Sequence, residues 1–364
     1  MRRIDRFTLI LTAILILGGL FIFLSASLGL LTRGDELLWK SAAIQVFLGA
    51  LGGTIIMLLL SRLDYKKLKK YAPYLFGLGL ITTALVFVPG VGATFGGATR
   101  WLLIGPLTLQ PAELLKLATI IFLAMLFAQG ARERKSSWWM FGTLVCVLAA
   151  ASALLLLQPD TGTVLILAMA AYAMFYASGV SWKVVLVSIL LPMLVLGSLA
   201  MMRPYIKERV LTYLNPAADP LGSGYQIQQS FIAIGSGGLW GRGFGQSVQK
   251  FNYLPEPTSD SIFAVYAEEF GFLGALLLIF AFLLFGIRGL QIARRAPDRF
   301  GGLLAIGVVI LLVAQAFTNM GAMLGVLPLT GLPLTFVSHG GSALLFSLAG
   351  VGLLLSVSRY QKRT

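Results

Sequence analysis

Residues 249–274 read QKFNYLPEPTSDSIFAVYAEEFGFLG. Pro255 and Pro257 interrupt whatever precedes them, and Thr258, Ser259 and Asp260 are residue types that begin helices. The run that follows is apolar enough to enter a membrane, yet it carries Glu268 and Glu269. Carboxylates at membrane depth are costly and point to a function or a partner. The stretch therefore says two things. The chain spans a membrane, and the mouth of one of its helices is chemically unusual.

The remaining sequence agrees with the first statement. Of the 364 residues 58% are hydrophobic and only 12% are charged, whereas soluble domains are about a quarter charged. Apolar runs of about 20 residues, the length that crosses a bilayer, recur from end to end. The pattern predicts an all-α polytopic membrane protein forming one domain over residues 1–364, with ten transmembrane helices. They fall near 7–31, 39–61, 71–89, 111–130, 138–157, 163–179, 182–202, 261–287, 302–325 and 339–358. The first run follows Arg2, Arg3 and Arg6 and is longer than the apolar core of a signal peptide, so it reads as an uncleaved span.

A net charge of +14 would suggest a nucleic-acid partner for a soluble protein. Here the basic residues fall between spans and serve topology instead. With the N-terminus in the cytoplasm, that side receives Arg62, Lys66, Lys67, Lys69, Lys70, Arg132, Arg134, Lys135, Lys183, Arg288, Arg294, Arg295, Arg299 and the C-terminal cluster. Both termini are then cytoplasmic, and no nucleic-acid partner is expected. The lone Cys146 excludes an intrachain disulfide.

Two connections on the outer side are long: 90–110, rich in glycine, and the extracytoplasmic loop 203–260 between the seventh and eighth spans. A loop of that length in a compact protein is functional or disordered, and this one is too apolar for disorder. Its segment GYQIQQSFIAIGSGGLWG suits the membrane interface or a re-entrant path packed on protein. GSGGLWGRGFG lacks the GK[ST] of a phosphate-binding loop, so no nucleotide cofactor is expected.

Few polar residues lie at membrane depth. Glu113 and Lys116 stand three apart on one helix face, either gluing helices together or lining a polar path. Asp160, in QPDTG, is a turn residue or, if the loop dips inward, a partner for Lys116. Arg100, beside Trp101, is an interfacial anchor or a contact for phosphate or sugar. Arg203, Lys207, Arg209, Arg242 and Lys250 give the long loop local positive charge beside Glu208, Asp219, Glu256 and Asp260. Basic residues on the outer face do not serve topology, so they suit an anionic ligand or lipid headgroups. His339 reads as a packing residue at the start of the last span. Ser259 or Asp260 caps the eighth span, where a carboxylate suits the helix dipole. Asp260 is otherwise a general base or a ligand for a divalent cation. Glu268 lies about 12 Å further along the axis and about 80° round it, too far to share a proton with Asp260, so it supports from within the bundle.

The motifs GYQIQQSFIAIGSGGLWGRGFG, LPEPTSDSIFAVYAEEFGFLG, RWLLIGPLTLQPAELLK, LLQPDTGT and TNMGAMLGVLPLTGLPLTFVSHGGSALL together resemble the SEDS family (shape, elongation, division and sporulation), which includes RodA and FtsW. The resemblance covers nearly the whole chain, and the short chain ends look more like RodA. It implies a peptidoglycan glycosyltransferase polymerising lipid II at the outer face of the bacterial cytoplasmic membrane, in cell-wall elongation and rod shape. It also implies a class B penicillin-binding protein, a transpeptidase, as partner. The family's essential aspartate falls on Asp260, and Glu113, Lys116 and Asp160 match its polar interior. Ser261, Ala112, Thr161 and His339 depart from the family's usual residues. Mg²⁺ or Mn²⁺ is the expected cofactor, with Arg203, Arg209 and Arg242 facing the anionic leaving group. The competing readings are a lipid II flippase, which needs no base, and a non-catalytic scaffold for the transpeptidase.

Overall fold

The computed structural model describes residues 4–95, 98–105, 107–190, 213 and 224–361. Helices run in chain order as α1 (Arg6–Ser27), α2 (Asp35–Arg62), α3 (Tyr65–Leu85), α4 (Pro111–Arg132), α5 (Ser137–Leu157), α6 (Thr161–Ala177), α7 (182–190), α8 (Tyr225–Ser236), α9 (Ile262–Arg294), α10 (Arg299–Met323) and α11 (Gly341–Arg359). The middle of α2, Ile44–Gly52, is π-helical. Among the described residues seven helices are long and apolar enough to cross a membrane: α1, α2, α4, α5, α9, α10 and α11. Helix α6 is apolar but has 17 residues, and α3 opens on the basic run YKKLKK. Most of the expected seventh span lies outside the described residues beyond 190, as do Arg203, Lys207 and Arg209.

The expected helical architecture holds, with one addition. The outer connection before α4 folds into a small antiparallel meander, β1 (Gly92–Phe95), β2 (Ala98–Ile104) and β3 (Leu107–Leu109), in the order β1-β2-β3. Ala93 pairs with Trp101, and Leu102 with Leu109.

Helices α11, α10 and α4 form the centre: 89%, 72% and 67% of their most apolar windows are buried, against 22% for α9 and 28% for α5. In lipid there is no hydrophobic force between helices, so close packing of small residues holds them together. Gly352 of α11 shows this, since a Cβ there would lie 2.7 Å from the Met57 carbonyl oxygen of α2.

The start of α1 and the end of α11 meet at one end of the bundle, where the Asp5 backbone N–H donates to Ser358 Oγ at 3.0 Å. Asp5 also caps α1, accepting from the Thr8 N–H at 2.9 Å, and pairs with Arg288 in a fork of 2.5 and 3.1 Å. Burial works against the Asp5 carboxylate. The hydrogen bonds from Arg288 and Thr8 overcome it and hold the pKa below its ordinary value. Arg359 closes the C-terminal end of α2 by donating to the Ser61 and Arg62 carbonyls at 3.1 and 2.8 Å.

Candidate functional site

The helix of the opening stretch is broken where the sequence places a glycine. Gly271 has φ +65° and ψ −166°, which interrupts α9 nine residues after its start. In an unbroken helix Glu268 O would accept from Phe272 N, and Glu269 O from Leu273 N. Instead the segment 238–243 enters the ladder. Arg242 N and Gly243 N donate to Glu268 O and Glu269 O at 3.0 and 2.9 Å. Phe272 N and Leu273 N donate to Gly238 O and Leu239 O at 2.9 and 3.2 Å. Backbone polar groups at membrane depth need partners, and these four find them in the loop. The glycine-rich run is thus the insert that fits the break. A Cβ on Gly271 would stand 2.3 Å from Gly241 N.

The two carboxylates beside the break hold the rest of the same loop. Glu268, fully buried, accepts from Ser247 Oγ at 2.6 Å and from Val248 N and Gln249 N at 3.1 and 3.3 Å, with Arg242 at 3.5 Å. Glu269 pairs with Lys250 Nζ at 2.8 Å and accepts from Ser25 Oγ of α1 and from Ser247 N. Lys250 also donates to Ser25 Oγ and to the Gly245 carbonyl. This corrects the grouping of Lys250 with ligand-facing cations: its head group is buried and committed to Glu269. Arg242 donates to the Ser236 carbonyl as well, yet its side chain stays 41% exposed.

Asp260 sits in a different kind of place. The turn before α9 is closed by the Glu256 carbonyl, which accepts from Ser259 N and Ser261 N at 3.1 and 3.2 Å. Glu256 itself is exposed, with φ +46°. Three successive carbonyls are then gripped by other parts of the chain. Thr258 O accepts from His339 N at 2.7 Å, Ser259 O accepts from Ser338 Oγ, and Asp260 O accepts from Asn319 Nδ2 at 2.7 Å. Next to them Ser261 Oγ accepts from Gln226 of α8 at 2.9 Å. The expected cap at Ser259 or Asp260 is corrected: the cap position is Ser261, whose hydroxyl is engaged by Gln226 and makes no capping bond. Asp260 is thereby one residue outside the helix, half-buried and fixed through its main chain.

The polar interior joins this turn through α10. Lys116 Nζ lies 2.8 Å from Glu113 and donates to Gln315 Oε1 at 2.9 Å. Gln315 Nε2 donates to the Pro333 carbonyl at 3.0 Å, and Asn319 Nδ2 to the Leu332 carbonyl at 2.7 Å. Gln315 and Asn319, four apart on one face, hold consecutive carbonyls of the 330–340 segment. Gln45, in the π-helical part of α2, holds the other end of that segment: it donates to Ser338 O and accepts from Gly340 N. Of the two readings left open for Asp160, the structure takes the turn. Its carboxylate caps α6, accepting from Thr163 N and Oγ1 at 3.2 and 2.8 Å. Arg100 donates to the Gln158 and Pro159 carbonyls at 2.9 and 2.7 Å, tying the meander to the end of α5.

Sequence reading did not single out Gln45, Gln226, Gln315, Asn319 or Ser338. The available signal was an amide inside an otherwise apolar run, clearest in the four-residue spacing of Gln315 and Asn319. Among the described residues no three His, Cys, Asp or Glu side chains gather as a metal site. The carboxylates on the turn before α9 are Glu256 and Asp260. One or two carboxylates joined by substrate phosphates are the usual holders of Mg²⁺, so the residues fit a substrate-bridged ion rather than a resident one.

The family model for FtsW, RodA and SpoVE, described as a cell cycle protein, matches residues 5–363. Stage V sporulation protein E of Bacillus subtilis (strain 168) is 36% identical over 359 residues, covering 98% of each chain. A probable peptidoglycan glycosyltransferase FtsW of Geobacter metallireducens is 40% identical over 316 residues, 86% of this chain and 84% of that one. Among solved structures, one described as "Structural coordination of polymerization and crosslinking by a peptidoglycan synthase complex" superposes with a TM-score of 0.79 at 30% identity, over 99% of both chains. The crystal structure of the rod shape determining protein RodA of Thermus thermophilus gives a TM-score of 0.70 at 28% identity, over 99% of this chain and 98% of that one.

Proposed function

We infer the reaction from the premise that the chain belongs to the FtsW, RodA and SpoVE family: it is a multi-pass membrane protein and a peptidoglycan glycosyltransferase. The substrate we assign is lipid II, carried on undecaprenyl pyrophosphate. The basic end of the bundle, with the start of α1 and the end of α11, faces the cytoplasm by the positive-inside rule, which puts the mouth of α9 on the outer face of the cytoplasmic membrane.

The acceptor's sugar 4-hydroxyl attacks the anomeric carbon of the donor. The bond from that carbon to the pyrophosphate oxygen breaks, and undecaprenyl pyrophosphate leaves. The hydroxyl proton passes to Asp260. A general base must be held within hydrogen-bond reach of the proton it takes, and a side chain on a fixed main chain meets that need with little loss of freedom on binding. The observation that carries the assignment is the grip on the carbonyls of Thr258, Ser259 and Asp260 from three donors on separate residues. In the alternative role for Asp260, as ligand instead of base, it would hold a divalent cation together with the substrate's phosphates, and the ion would neutralise the leaving group's charge. Arg242, with its partly exposed guanidinium, faces the same anion, and the loop residues Arg203 and Arg209 are assigned with it. A class B penicillin-binding protein is the proposed partner that crosslinks the emerging glycan.

The test is glycan synthesis from lipid II by the purified chain with its transpeptidase partner and Mg²⁺ or Mn²⁺, read as polymer length on gels. Wild type forms polymer and Asp260→Asn does not, while melting at the same temperature. Polymer from the Asn variant removes Asp260 from the chemistry. Movement of lipid II across liposomes without polymer from wild type replaces the enzyme with a flippase.

A further inference from the structure

A cavity of about 530 Å³ opens at the basic end of the bundle, remote from the Asp260 turn. Its rim is cationic: Lys66 and Lys69 at the start of α3, Arg132 at the end of α4, and Arg299 at the start of α10. Its floor is apolar, made by Ala128, Ala131 and Phe300, of which Ala128 and Phe300 are buried.

The one carboxylate in the lining, Asp298, is already engaged. It accepts from the Tyr65 hydroxyl and, at 2.9 Å, from Gly301 N. Among the described residues no ion pair involves any of the four rim cations. Lys66 has an aromatic neighbour only at 6.0 Å, the ring of Tyr360. The positive-inside rule accounts for basic residues at this end, but it asks for no concavity and no apolar floor. Four cations around a cleft against one committed carboxylate leave a site complementary to an anion. Basic pockets between membrane helices at this level take phosphate-bearing lipid headgroups.

We propose that this cleft binds the phosphate of an anionic phospholipid, its oxygens against Lys66, Lys69, Arg132 and Arg299 and its glycerol and upper acyl carbons on Ala128, Ala131 and Phe300. The shared chemistry is a phosphate oxyanion. The floor selects the lipid over free phosphate, because a soluble anion gains nothing from covering apolar surface. The site stands apart from the proposed reaction and does not depend on it.

The test titrates the full chain, purified in a neutral detergent, with phosphatidylglycerol or with phosphatidylcholine of the same acyl chains. Bound lipid is counted by native mass spectrometry. Wild type retains phosphatidylglycerol in preference. Removing two rim cations in Lys69→Gln/Arg299→Gln weakens that binding about 25-fold, at roughly fivefold per cation. Ala131→Phe fills the floor, keeps every charge, and also abolishes the preference. Arg62→Gln/Lys67→Gln, at the same end but outside the cavity, leaves it intact. Equal retention of the two lipids by wild type overturns the proposal. So does an equal loss in the Arg62/Lys67 pair, which would make the effect diffuse charge. Complete displacement of the lipid by millimolar inorganic phosphate would assign the site to the free anion.

Discussion

Asp260 and the Glu268–Glu269 pair lie on one short stretch of chain and are held in opposite ways. At Asp260 the fold grips the main chain, through the carbonyls of Thr258, Ser259 and Asp260. At Glu268 and Glu269 it grips the side chains, through Ser247, Val248, Gln249, Lys250 and Ser25. A carboxylate consumed by internal hydrogen bonds is architecture, because its charge is already answered. At the Asp260 turn the fold instead fixes the path of the backbone, and so the point from which the side chain projects.

Substitutions that remove charge without changing size should separate the two. Asp260→Asn is expected to lower polymerisation by about 10²–10⁴, the usual share of a general base, with an unchanged melting temperature in detergent. Glu269→Gln should do the reverse. It leaves Lys250 buried without its partner, a change that costs about 3–5 kcal/mol, visible as a lower melting temperature and poor recovery from membranes. Activity should fall only with the folded fraction, and Lys250→Met in the same chain should restore part of the stability.

Gly271→Ala tests whether the break in α9 links the two regions. A side chain at φ +65° costs about 1–3 kcal/mol, and its Cβ would also push on Gly241 N. Faster proteolysis within 238–250 together with reduced turnover is the expected pair of readouts. Asn319→Ala loosens the clamp on Asp260 and leaves the Leu332 and Asp260 carbonyls short of a donor. A loss of about 1–2 kcal/mol should appear mainly in turnover number, measured against lipid II concentration. The smallest effect belongs far from both regions, at Asp5. Its folded pKa lies below the ordinary 3.8, so its contribution is full above the unfolded value and disappears as pH falls through the folded one. Melting temperatures between pH 6 and pH 3 should drop more steeply for wild type than for Asp5→Asn.

The helical membrane class was legible because lipid imposes a length and a composition that the sequence must show, and seven of the ten expected spans are long, apolar helices among the described residues. The aspartate was legible as a residue at a helix mouth, and its particular role came from motif resemblance. The grip around it was not. Thr258 and His339 meet through backbone atoms, which carry no sequence mark, and Gln226 reaches Ser261 from another helix. Lys250 reads as one of several loop cations until Glu269 is seen beside it. The meander at 92–109 was hidden because two of its strands have only four and three residues, too few for an alternating pattern to declare itself.

The interruption at Gly271 bears on how the chain crosses the bilayer. Residues 272–294 alone form about 34 Å of helix, enough to cross a hydrocarbon core of about 30 Å without help. The piece before the break, 262–270, therefore need not contribute to the span. It travels with the segment 238–243 that completes its hydrogen bonds, so Glu268 and Glu269 and their partners Ser247 and Lys250 stay beside the crossing rather than within it.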